Sequence, residues 1–97
     1  MTTASQPLPR YIVMTSSAHV SGIARRFGRY RNVAVVETVA GWSEWPARID
    51  ERSRGVARIV RHYGARSQGK TDRCAYARTM AEATTLAASL NAAEGRA

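Results

Sequence analysis

Cysteine is almost missing from this chain, with Cys74 the one thiol in 97 residues. A single cysteine excludes an intramolecular disulfide framework and any CxxC-type metal site. It points to a thiol-reduced compartment, the cytoplasm. Histidine is nearly as scarce. His19 and His62 lie far apart without ligand-type neighbours, so neither a metal nor a cofactor site is expected. No apolar run approaches the ~20 residues that span a bilayer, and no membrane partner is expected. The opening Met-Thr-Thr-Ala-Ser-Gln-Pro has neither the basic nor the apolar region of a signal peptide. Lysine is down to Lys70, and the acids number seven.

What the chain has in quantity is arginine, which supplies every basic residue but Lys70 and gives a net charge of +8. Guanidinium groups make planar, bidentate contacts with phosphate. So basic a chain is expected to hold polyanions, nucleic acid first among them. The plainer account is that arginine is this protein's ordinary solvated surface residue. Ninety-seven residues make one domain with a modest core. Residues 1–8 read as a loose tail, 9–93 as a single α+β domain and 94–97 as a frayed end.

Along the chain, Tyr11 to Thr15 is a short β-prone run after Pro9. Val20, Ile23, Ala24 and Phe27 then hold one stripe of a helix, capped by Ser17 and closed by Gly28. Arg25, Arg26 and Arg29 fall on its other side, followed by Arg31. Val33 to Val39 is the clearest strand, apolar enough to be covered on both faces. A connection with Trp42 and Trp45 follows, and the pair is expected to cover the end of the core. Val56, Ile59, Val60 and Tyr63 again space as a helix, with Arg54, Arg58 and Arg61 opposite and Gly64 as its C′ residue. Finally Tyr76, Met80, Ala83, Ala87 and Leu90 mark a long helix from about Asp72. Thr79 and Glu82 offer an alternative start in the form of a capping box. The expected fold is a two-layer α+β domain of about two strands and two to three helices. Two strands are too few to stand alone, so a hidden third strand or a homodimer must complete the sheet.

One string resembles a chemical motif. Gly64-Ala65-Arg66-Ser67-Gln68-Gly69-Lys70-Thr71 matches G-x-x-x-x-G-K-[ST], a loop that wraps phosphates in backbone N–H groups. Its context is wrong for nucleotide hydrolysis. A buried parallel strand should precede it, where Arg58, Arg61 and His62 do not belong, and no later strand supplies an aspartate for the metal. The loop could still hold a phosphate without hydrolysing it.

The arginines cluster. Arg25, Arg26, Arg29 and Arg31 lie in a stretch free of acids, Arg54, Arg58 and Arg61 form a line, and Arg66, Lys70 and Arg73 extend it. With no catalytic constellation in view, the expected function is non-enzymatic binding of DNA or RNA, or a regulatory role, through these arginines. The alternative is a small inhibitor or adaptor, such as a phage or mobile element makes, docking on an acidic protein or on a nucleic-acid enzyme.

Overall fold

The computed structural model describes residues 6–18, 30–67 and 73–94. Three strands, β1 (Tyr11–Ala18), β2 (Tyr30–Thr38) and β3 (Val56–Ser67), form one antiparallel sheet in the order β1-β2-β3. Among the described residues one long helix, α1 (Arg73–Glu94), crosses one face of it. The α+β class holds, with one strand more than expected. Ser17 lies within β1, and the helix it was expected to cap falls outside the described residues. The helix expected over 20–27, with Arg25, Arg26 and Arg29, lies outside the described residues, as do Lys70 and the side chain of Arg73.

The central strand is where the sequence said the most apolar one would be. Val33, Val35 and Val36 are each fully buried at 0 % exposure. Each adds about 1.5–3 kcal/mol relative to an exposed side chain. Val33 and Val35 face the helix with Tyr11 and Tyr63, where they meet Ala83 and Ala87. Alanine at those two helix positions lets the backbone come close to the sheet. Val13, Val60, Tyr76, Met80, Leu86 and Leu90 close the rim of that layer, which accounts for the whole expected stripe of α1. Thr79 sits inside the helix, its hydroxyl donating to Ala75 O at 2.8 Å, so it is not a cap. On the opposite face Ile12, Met14, Ala34, Val36 and Val56 form a second cluster, against which Leu8, Ile49 and Ile59 pack.

The largest correction concerns residues 54–63. They are not a helix: Val56 onward is strand, and 39–55 is irregular. In the β2–β3 register Val33 faces Gly64, Ala34 faces His62, Val35 faces Arg61, Val36 faces Ile59 and Thr38 faces Val56. Tyr63, Val60 and Ala57 are thus each extra, three bulges in one strand. Each bulge resets which face the next side chain joins. Val56 and Ile59 go to the second cluster, Val60 and Tyr63 to the helix side. Apolar doublets at helical spacing are the result. Gly64 does take the left-handed φ expected of it, +79°, but within the bulged strand rather than at a helix end.

Candidate functional site

Pairing with β2 decides what each arginine of β3 meets. Arg58 lies opposite Glu37, Arg61 opposite Val35 and Arg66 opposite Arg31. Val33 and Val35 point toward α1. Alternation along β2 therefore puts Arg31 and Glu37 on the helix side as well, together with their β3 partners. Arginine lines the length of β3 beside the helix.

These cations differ in what holds them. Glu37 is buried and takes two: Arg10 Nε donates to its Oε2 at 2.6 Å and Arg58 Nε to its Oε1 at 2.7 Å. Arg10 Nη1 also reaches Glu94 at the end of α1. The Arg10 hydrogen bond holds the Glu37 carboxyl below its ordinary range; burial opposes this and Arg58 adds to it. Arg10 and Arg58 are thereby committed to Glu37, which ties the residue before β1 and strand β3 to β2, while Arg10 also ties to the helix end through Glu94. Arg66 Nε donates to Thr79 Oγ1 at 3.2 Å, which ties β3 to α1.

Arg61 and Arg78 are placed differently. Both line an open groove of about 530 Å³ between β3 and α1. Tyr63 and Leu86 supply its apolar surface, and Glu82, Thr85 and Ser89 complete its polar side. Arg61 lies over the Tyr63 ring, 4.6 Å from the centroid. The described ion pairs are Arg10–Glu37, Arg10–Glu94 and Arg58–Glu37, so neither groove arginine is paired with a described acid. Arg78 precedes Glu82 by four residues, the weaker order for a helical pair. Two guanidinium groups against one carboxylate leave the groove positive.

Arg54 is elsewhere, in the turn before β3. Its guanidinium lies 5.6 Å from the centroid of the Trp42 ring. Trp42 packs on Gly55, where an added Cβ would stand 2.2 Å from the indole Nε1. That Nε1 is buried without a hydrogen-bond partner among the described residues. Trp45 is the reverse of what was expected for a core cover, 57 % exposed.

Of the candidate residues, Arg31, Arg58, Arg61 and Arg66 come together on one side of the sheet, and Arg54 does not join them. Arg78 was missed in the sequence because it stands alone between alanine and threonine. Its only signal is the polar row Arg78, Glu82, Thr85, Ser89 at i, i+4, i+7, i+11, flanking the apolar stripe. The string Gly64-Ala65-Arg66-Ser67 is paired strand, and residues 68–72 are outside the described set. The segment before Lys70 is thus a strand after all, yet an antiparallel one at the edge of the sheet. No group of three or more His, Cys, Asp and Glu fit to hold a metal occurs among the described residues. No helix among them is long and apolar enough to cross a membrane. Compared with known proteins, the chain matches no family model, no curated protein and no solved structure at significance.

Proposed function

We propose that this protein is a non-enzymatic, cytoplasmic nucleic-acid-binding protein that holds backbone phosphates along β3 and in the groove beside α1. One observation carries it: Arg61 and Arg78 come from different elements to one groove with no described acid partner, on a chain of net charge +8. Guanidinium held near a tyrosine ring loses less freedom when it meets a phosphate than a lysine on a free stem does. Arg31 and Arg66 face each other across β2 and β3. Their register adds two cations to the side of the sheet that carries the groove. Contacts of this kind track a backbone without reading sequence.

The test is fluorescence anisotropy with labelled duplex and single strand across a salt series. Affinity should fall as a power of salt concentration, with a slope of about −0.9 per phosphate neutralised on duplex. Changing Arg61 and Arg78 together to Ala should weaken binding and flatten the slope by up to about two units. No binding by folded protein near about 100 mM salt would end the proposal, since neutralised phosphates supply most non-specific affinity.

Trp45 favours a second reading, as a small inhibitor or adaptor. A large exposed aromatic with arginines 48 and 52 near it in sequence has the composition of a protein-binding hot spot. A protein partner would be lost with Trp45→Ala and kept in the Arg61, Arg78 double variant.

A further inference from the structure

The two edges of the sheet are built differently. β3 carries three bulges, a left-handed glycine and four charged or ionisable side chains, Arg58, Arg61, His62 and Arg66. Bulges and charge are the usual protection of a strand edge against pairing with another chain. β1 has neither. Its eight residues, Tyr-Ile-Val-Met-Thr-Ser-Ser-Ala, contain no charge and no proline, and they pair with β2 in an unbroken register.

The outward-facing groups of β1 can be assigned. Thr38 N–H donates to Arg10 O at 2.7 Å, which makes Tyr11 and Glu37 a non-hydrogen-bonded pair in the β1–β2 ladder. The backbone N–H and C=O of Tyr11 therefore point away from β2, and so do those of Val13, Thr15 and Ser17. At Tyr11 both are taken: Asn91 Oδ1 accepts from its N–H and Asn91 Nδ2 donates to its C=O, each at 2.9 Å. Val13, Thr15 and Ser17 have no such partner among the described residues.

We propose that this stretch of β1 pairs with the same stretch of a second copy, antiparallel about a two-fold axis at Thr15. A symmetric antiparallel pair is self-complementary, as a two-fold interface requires. Thr15 would face Thr15 of the other copy, and Val13 would face Ser17 on either side of it, with two N–H···O bonds for each pair. The absence of charge on β1 argues for a second copy rather than an acidic strand, because two chains of +8 can approach along an uncharged edge. Beyond Thr15 the side chains are short, which lets another strand lie alongside. The result is one continuous six-stranded sheet with a helix on each half. Self-pairing is independent of the nucleic-acid proposal and is measured without nucleic acid.

Sedimentation over a concentration series should show a species of twice the 10.6 kDa chain mass. Thr15→Pro removes an N–H that bonds nothing among the described residues, and edge strands accept proline. That variant should keep its circular dichroism spectrum and dissociate about tenfold more readily or more, from two lost bonds and the ring's bulk. A cysteine trap covers the case in which proline unfolds the domain. In a Cys74→Ala background, Thr15→Cys places two thiols on a hydrogen-bonded pair with Cα atoms about 5.5 Å apart, within the range a disulfide spans. Oxidation should give a covalent dimer from Thr15→Cys and not from Thr84→Cys on the exposed face of α1. A monomer at every concentration overturns the proposal, and so does a dimer that a folded Thr15→Pro leaves unchanged, or equal crosslinking of the two cysteine variants.

Discussion

Asn91 stands to Tyr11 as a residue of a neighbouring strand would, accepting from its N–H and donating to its C=O, both at 2.9 Å. A side-chain carboxamide has the same donor and acceptor as a peptide unit, so one helical residue closes one site of an open strand edge. Asn91→Ala leaves both Tyr11 groups without that partner in a partly buried place. The cost should be about 1–3 kcal/mol. Thermal melts would read this as a drop of roughly 4–8 °C per kcal/mol for a domain of this size. Asn91→Asp should be nearly as damaging, since it sets a carboxylate oxygen against the Tyr11 carbonyl.

Glu37 gives the fold an acid-sensitive tie. Its carboxyl is held below the ordinary value of 4.5, first by Arg10 and then by Arg58. A depressed carboxylate stabilises the folded chain fully above the unfolded value, and that part is lost as pH falls through the lower folded value. Denaturant midpoints measured downward from neutral pH should therefore stay level until about pH 5 and then decline. In Glu37→Gln the decline should be shallower. The variant should also be less stable at neutral pH by about 2 kcal/mol, as for hydrogen bonds between charged groups.

Gly55 is fixed by two conditions at once, a φ of +89° and the Trp42 ring against its Cα. Gly55→Ala should destabilise by more than about 1 kcal/mol, because alanine is strained at positive φ and its methyl overlaps the indole. Gly41→Ala makes the control. It has a positive φ too, +80°, but nothing within 4 Å of an added Cβ. Its melting temperature should fall less, and its Trp fluorescence should match the parent while that of Gly55→Ala shifts.

ATP with Mg²⁺ should leave the melting temperature unchanged. The first half of Gly64-Ala65-Arg66-Ser67-Gln68-Gly69-Lys70-Thr71 is engaged in β3 pairing, with Ser67 opposite Tyr30 and Arg66 opposite Arg31. That pairing holds the segment extended, with successive N–H groups turned to opposite sides, whereas a triphosphate is wrapped by a curled loop whose N–H groups converge. Saturation at a hundred times the dissociation constant would stabilise by ~2.7 kcal/mol, a shift easily seen.

Much of the layer structure was legible in the sequence. β2 was visible because an apolar run without alternation needs cover on both faces, and Val33 to Val36 have it. The helix was visible because Tyr76, Met80, Ala83, Ala87 and Leu90 keep their period to the end. β3 was not, for a physical reason. Its bulges at Tyr63, Val60 and Ala57 break period-two alternation into doublets, and doublets imitate a helix. The arginine line at 54, 58 and 61 misled in the same way: Arg58 and Arg61 share a side of the sheet, while Arg54 sits over Trp42. Glu37 could be seen as the acid closing a strand, but not as the partner of residues 27 and 21 positions away. Such long-range contacts follow from register, and register was hidden by the bulges.

The bulged edge of β3 has a consequence in the language of polymerisation. A sheet with two pairing edges is a bifunctional monomer, and it adds copies without limit. Here one edge is irregular and cationic while the other is smooth and uncharged, so the chain is monofunctional. Once two β1 edges meet, both are consumed and the exposed ends of the assembly are β3 strands that terminate growth. Deleting one extra residue such as Ala57 leaves two bulges and the charge of Arg58, Arg61 and Arg66 in place, so the chain stays monofunctional and the expected product is still a dimer. Only an edge both straightened and stripped of charge would yield a filament.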